Sequence, residues 1–271
     1  MLVSAHWLKK NLKKKNIKIL DVSWYLPNIN RNPKKEFMQI RIPKAAFFDI
    51  DDVCDKKSHL PHMLPSKSTF ENKISELGIK SSDSIIVYCR EGVMSSPRAW
   101  WMFLYFGHKK VFILNGGLKG WRLANGKISQ GPANILQTKY KTGRIKKKFN
   151  LTYDKILYLK KKKEKINILD ARPTRRFLKL DPEPRKNIGR GVIEGSSNLE
   201  AASLEVNGFF RTKNKVRDIF KKVINNNNKV ICTCGSGISA CSLAFSLSLI
   251  GKFNWSVYDG SWTEWYLKTK S

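Results

Sequence analysis

Cys234-Gly235-Ser236-Gly237 is the stretch of this chain whose residue types and spacing could do covalent chemistry. It follows the apolar run Val230-Ile231-Cys232-Thr233 and precedes Ala240, Leu243, Ala244, Leu247 and Ile250 at helical spacing. A strand, a tight glycine loop and a helix N-terminus are therefore predicted to meet at Cys234. A thiol at such a junction faces converging backbone N–H groups and the positive end of a helix, both of which favour thiolate over thiol. That makes Cys234 a candidate nucleophile. Gly235 and Gly237 let the loop curl with its amides inward, and Ser236 sets a hydroxyl within it. Cys232 on the strand and Cys241 on the helix read as small buried hydrophobes instead.

The elements that must position this loop occur twice. Ile19-Leu20-Asp21-Val22, Ile85-Ile86-Val87-Tyr88-Cys89 and Val111-Phe112-Ile113-Leu114-Asn115-Gly116-Gly117 are echoed by Ile168-Leu169-Asp170-Ala171, Val230-Ile231-Cys232-Thr233-Cys234 and Trp255-Ser256-Val257-Tyr258-Asp259-Gly260-Ser261. The spacings agree: 68 residues from Asp21 to Cys89 against 64 from Asp170 to Cys234, then 26 to Asn115 against 25 to Asp259, and six more to Trp121 and to Trp265. Agreement at successive anchors implies duplication of one domain. Short apolar runs alternating with helical patterns predict an α/β fold, each half a mainly parallel sheet flanked by helices. The expected boundaries are a first domain at 1–124, a linker at 125–150 with Asn125-Gly126 and Gly131-Pro132, and a second domain at 151–271. Ligands of such sheets sit at the C-terminal ends of the strands, where Cys234 falls.

Composition narrows the function classes. With 41% hydrophobic residues the 271-residue chain can bury a sizeable interior. It has no apolar run of the ~18 residues that would span a bilayer, and its start lacks the apolar segment of a secretory signal, so no membrane partner is expected and the cytoplasm is the default address. The net charge of +31 suggests an anionic partner, but 39 of the 52 basic residues are Lys, spread from end to end. Base readout and bidentate phosphate clamping favour Arg, which argues against specific nucleic-acid binding as the main task. Five cysteines and four scattered histidines offer neither a disulfide framework nor paired zinc ligands, so no metal is expected. A cysteine phosphatase would need an arginine six residues after the nucleophile; Ala240 stands there and disfavours phosphoryl chemistry.

Cys234-Gly235-Ser236-Gly237-Ile238-Ser239-Ala240 resembles the CGSGVTA loop of the 3-mercaptopyruvate sulfurtransferases, two-domain relatives of rhodanese. Further matching segments are Ala45–Asp51, His62-Met63-Leu64-Pro65, Ser96–Met102, Asp170-Ala171-Arg172-Pro173, Glu183-Pro184-Arg185 and Tyr258–Trp265, so the resemblance runs along the whole chain. It implies two tandem rhodanese-like domains, the first catalytically silent and the second carrying Cys234. It also implies a ping-pong reaction without cofactor, in which Cys234 takes the sulfur of 3-mercaptopyruvate as a persulfide, pyruvate leaves, and the sulfur passes to a thiol, thioredoxin or cyanide. Arg176 and Arg185 would grip the donor's carboxylate and carbonyl beside loop residues Gly235, Gly237, Ile238, Ser239 and Ala240. Ser236, His62 and Asp51 match the family's proton-relay residues. Arg172 and Arg175 read as surface or structural.

Thiosulfate-preferring rhodaneses resemble CRKGVTA, with cations at the second and third loop positions; the uncharged Gly235 and Ser236 favour mercaptopyruvate. A thiosulfate sulfurtransferase is the runner-up, and a basic nucleic-acid-binding protein on a decayed scaffold the remote alternative. Departures from the family's GHIPG turn at Ile40–Lys44 and Gly191–Gly195 leave the packing of those turns open. Cys89-Arg90-Glu91-Gly92 is a rival loop in the first half, but it lacks the paired glycines and its Glu91 would repel an anionic donor.

Overall fold

A computed structural model of the chain describes residues 1–224 and 227–270. The chain divides into two compact units. The first comprises Met1–Lys56, Leu64–Ile145 and Asn207–Phe210, and the second Lys57–Met63, Lys146–Val206 and Arg211–Ser271.

In chain order the elements up to the middle of the sequence are β1 (Leu2–Val3), α1 (Ala5–Asn11), β2 (Ile17–Asp21), α2 (Pro33–Gln39), β3 (Ala45–Phe47), α3 (Lys67–Glu76), β4 (Ser84–Tyr88), α4 (Ser96–Tyr105), β5 (Val111–Leu114) and α5 (Gly117–Leu123). Their strands form one parallel sheet in the order β1-β5-β4-β2-β3, with Leu20 opposite Val87 and Asp21 opposite Tyr88. Ile85 to Tyr88 are buried without alternation, as expected of a parallel strand covered on both faces. Helix starts are marked by the sequence: Ser4 accepts the Trp7 N–H, Asn32 the Lys35 N–H and Ser66 the Thr69 N–H, each satisfying a donor that the helix leaves open.

The remaining elements are β6 (Asn150–Leu151), α6 (Tyr153–Lys161), β7 (Ile166–Asp170), α7 (Thr174–Phe177), β8 (Ser196–Asn198), the short β9 (Glu205–Val206) and β10 (Phe209–Phe210), α8 (Lys213–Lys221), β11 (Lys229–Thr233), α9 (Ala240–Leu249), β12 (Trp255–Tyr258) and α10 (Ser261–Thr269). The second sheet, β6-β12-β11-β7-β8, is parallel and repeats the strand order of the first. Its central β11 is flanked by β7 and β12, with Thr233 opposite Asp170 and Cys232 opposite Val257. The helix behind it, α9, is buried from Ala240 through Ser248, which explains why its sequence is apolar around most of its circumference. Cys234 is the first residue past the end of the central strand.

The stretch 125–150 differs from the expected linker. Residues through Ile145 belong to the first unit, and Lys146 onward to the second. Backbone bonds tie the stretch down: Ser129 pairs with Arg41, Thr138 N–H donates to the Ser75 carbonyl, Tyr140 N–H to Ser75 Oγ, and Gly143 N–H to the Phe106 carbonyl. Tyr140 is fully buried against Phe70 and stacks on His108. The strap has no helical or strand period because its partners are loop and helix-end groups of α3 and α4 rather than a sheet edge. The two departing turns close alike, Ala45 N–H on the Ile42 carbonyl and Ser196 N–H on the Ile193 carbonyl, with left-handed Lys44 and Gly195 in corresponding places.

Candidate active site

The loop from Cys234 to Ser239 owes its shape to bonds at both ends. At its start, the first turn of α10 takes the loop carbonyls: Trp262 N–H donates to Cys234 O at 2.9 Å, and Thr263 donates to Gly235 O from its N–H at 3.0 Å and its hydroxyl at 2.7 Å. With those carbonyls drawn away, the amides are free to turn inward, and Gly237 N–H reaches Cys234 Sγ at 3.1 Å. Gly237 adopts a φ of 80°, a conformation that favours glycine. Gly235 is needed for space instead. A Cβ there would lie 2.9 Å from Arg176 Nη2. An N–H donated to sulfur, with the entrance of α9 just behind, supports the negative charge that a thiolate or persulfide carries.

Three further predicted residues converge on this loop within the second unit. Arg185 Nη2 donates to Ser236 Oγ at 3.3 Å and to His62 Nε2 at 2.7 Å. A guanidinium has only donors, so His62 Nε2 accepts and the ring's proton resides on Nδ1. His62 lies in the first half of the sequence, but its segment, Lys57–Met63, packs with the second unit, and its φ of 61° is unusual for a residue with a Cβ. Arg176, on α7, lies against Gly235 and donates through Nη2 to Glu183 Oε2; its Nε is buried with no hydrogen-bond partner among the described residues. Arg172 is fully buried in an ion pair with Asp170, and Arg175 is exposed and paired with Asp181, in keeping with their structural and surface reading.

The other predicted residues are placed as follows. Ile238 and Ala240 are buried and Ser239 half-buried, so Ile238 and Ala240 can offer a ligand backbone groups rather than side chains. Asp51 belongs to the first unit, where its carboxylate accepts the Trp24 indole N–H at 3.1 Å and lines a cavity of about 510 Å³. The rival Cys89 follows β4 as Cys234 follows β11; its thiol meets the carbonyls of Glu91 and Gly92 at 3.5 and 3.4 Å and also takes bonds from the Ser95 N–H and the Ser95 and Ser96 hydroxyls. Burial pushes the Cys89 thiol up, as it does Cys232.

Two residues of this site stand in segments that carry the resemblance but had no predicted role. Ser261 Oγ accepts the Cys234 N–H at 3.1 Å, donates to the Tyr258 carbonyl at 2.8 Å and lies 3.9 Å from Cys234 Sγ. Its φ of 51° matches the 55° of Gly117 at the corresponding place in the first unit, where a side chain would collide with the Cys89 and Gly92 carbonyls. Glu183 is the other: it receives Arg172 Nη1 at 2.7 Å on one oxygen and Arg176 on the other. A serine held where its repeat has glycine is the signal that could have found Ser261.

Duplicated parallel sheets, each followed by a cysteine at the end of its central strand, define a tandem α/β protein with a thiol loop in each half. The rhodanese-like domain family matches residues 4–124 and again 154–268. The chain is 36% identical to the 3-mercaptopyruvate sulfurtransferase of Mus musculus over 277 residues, 99% of this chain and 93% of that protein. It is also 36% identical to the mitochondrial thiosulfate/3-mercaptopyruvate sulfurtransferase 1 of Arabidopsis thaliana, over 97% of this chain and 75% of that protein. Among solved structures, the 3-mercaptopyruvate sulfotransferase SseA of Escherichia coli superposes with a TM-score of 0.88 at 31% identity, covering 96% of this chain and 98% of that one. The chain belongs to the rhodanese family and is a tandem-domain sulfurtransferase.

Proposed function

We propose that this sulfurtransferase uses 3-mercaptopyruvate as donor and Cys234 as carrier. The Cys234 thiolate attacks the donor's sulfur, an S–S bond forms, and the C3–S bond breaks. Its electron pair leaves on the enolate of pyruvate, which the adjacent carbonyl stabilises. The donor's S–H proton passes by way of Ser236 and His62 to C3, so Cys–S⁻ and mercaptopyruvate become Cys–S–S⁻ and pyruvate without net gain or loss of protons. A thiol, the dithiol of thioredoxin or cyanide then removes the outer sulfur and returns the Cys234 thiolate, dividing one transfer into two steps. Arg185 and Arg176 bind the donor's carboxylate and carbonyl, a task suited to planar donor forks.

The observation that carries the choice of donor is the uncharged loop: Gly235 and Ser236 stand where a doubly charged thiosulfate would be met by cationic side chains, and a side chain at Gly235 would first have to displace the end of Arg176, 2.9 Å from the Cβ position. His62 in its neutral form, with Nε2 as an acceptor, supports its role as the proton's way station. The first unit is read as silent because burial pushes its thiol up and two carbonyls face it.

The test is intact-protein and peptide mass after brief exposure to 3-mercaptopyruvate or to thiosulfate. One added sulfur on the Cys234 peptide from mercaptopyruvate is the expected result. Sulfur taken only from thiosulfate would make the protein a thiosulfate sulfurtransferase, and sulfur found on Cys89 would overturn the assignment of the nucleophile.

A further inference from the structure

Glu183 sits at the centre of a buried charge chain that ends on the catalytic loop. Asp170, at the end of β7, takes Arg172 Nε and Nη2 at 2.9 and 2.7 Å, and the Gly191 carbonyl accepts a further Nη2 bond at 2.9 Å. Arg172 is thereby matched by Asp170, one charge against one. Glu183, with its side chain only 4% exposed, touches Arg172 but is the carboxylate left to balance Arg176. Its Oε2 and the Arg176 guanidinium both approach Gly235: a Cβ on that glycine would lie 2.9 Å from Arg176 Nη2 and 3.7 Å from Glu183 Oε2. The donor site is thus bordered by an ion pair, where the rest of the molecule offers a large excess of cations. The buried, unpartnered Nε of Arg176 leaves that residue one directed hydrogen bond to give.

We infer that Glu183 is a specificity-determining positioning residue: by neutralising Arg176 against the loop it lowers the positive charge of the donor site and disfavours a dianion relative to a monoanion. This rests on the mercaptopyruvate reading above for which donor is preferred, but not for the direction in which Glu183 acts. Mercaptopyruvate brings one negative charge and thiosulfate two, so a change of one unit in site charge acts on the second donor about twice as strongly. At the short separations of a loop site that difference is on the order of tenfold in relative use.

The experiment measures kcat/KM for both donors in wild type, Glu183→Gln and Glu183→Asp at low and high salt. Glu183→Gln keeps the shape and removes the charge; its ratio of thiosulfate to mercaptopyruvate use is expected to rise about tenfold, chiefly through KM, and the rise to shrink at high salt. Glu183→Asp restores the charge and is expected to bring the ratio back even if both rates fall. A purely structural role would lower both donors together, and an unchanged ratio in a folded Glu183→Gln protein overturns the inference. Should that variant not fold, Arg176→Gln supplies the reciprocal: Glu183 is then unbalanced, and thiosulfate use must fall further than mercaptopyruvate use, equal losses overturning the inference. A wild type that prefers thiosulfate would sink the donor assignment alone, since the shift between variants still reports on Glu183.

Discussion

Arg185 donates through one nitrogen to two acceptors, the Ser236 hydroxyl and the His62 ring, and so ties together the residues proposed for donor recognition and for proton movement. Replacing it by alanine removes charge-assisted hydrogen bonds of about 1.5–3 kcal/mol each. The kcat/KM for mercaptopyruvate is expected to fall about tenfold or more, with Arg185→Lys recovering only part, because an ammonium lacks the planar fork. Steady-state kinetics on the two variants checks this; full recovery by lysine would mean that charge alone matters there. The position of Cys234 was legible from sequence, since a cysteine between an apolar run and a paired-glycine turn has one structural meaning in a parallel sheet. The places of Ser261 and Glu183 in the site were not, because they reach it from segments 27 and 51 residues distant from Cys234.

At the scale of elements, periodicity identified the strands and helices that hold the loop, because β4 and β11 carry the continuous apolar runs Ile85–Tyr88 and Val230–Cys232 and β7 the shorter Ile168–Leu169. It missed the strap at 125–145, which is held by side chains of another element instead of its own period. Glu71 on α3 is the chief of these: its Oε1 accepts the Thr142 N–H and hydroxyl, both at 2.9 Å, and its Oε2 accepts Lys141 Nζ at 3.0 Å. Burial alone would raise this carboxyl, but the Thr142 and Lys141 bonds outweigh it and hold Glu71 below the ordinary carboxylate range. A depressed folded value means stability present above the unfolded pKa, about 4.3, and lost as pH falls through the folded one. Glu71→Gln is therefore expected to lower the unfolding free energy, read from urea titration, by an amount on the order of 1–2 kcal/mol above about pH 5, and to match wild type once Glu71 is protonated in acid. A deficit that persists unchanged into acid would show that shape, not charge, ties down the strap.

At the scale of the whole molecule, two copies of one fold have kept their strand order and differ at the loop that follows the central strand. Both central strands end in a cysteine, and both following turns close on it through a residue at positive φ. In the first unit that residue is Gly117, the loop carbonyls fill the space a side chain would need, and the fully buried thiol meets two of them as well as the Ser95 N–H. In the second it is Ser261, whose hydroxyl accepts the Cys234 N–H, and an amide points at the sulfur. Burial pushes the Cys89 thiol up, and a raised value keeps the thiol protonated and non-nucleophilic over a wider pH range. Duplication thus leaves the pattern legible twice in the sequence, while the two thiols differ in burial and in the groups that face them. Cys89→Ser is expected to retain sulfur transfer within about twofold of wild type, and Cys234→Ser to abolish both turnover and persulfide formation. Measuring both variants with each donor separates the copies: transfer surviving in Cys234→Ser and lost in Cys89→Ser would mean that burial and facing carbonyls do not silence a thiol.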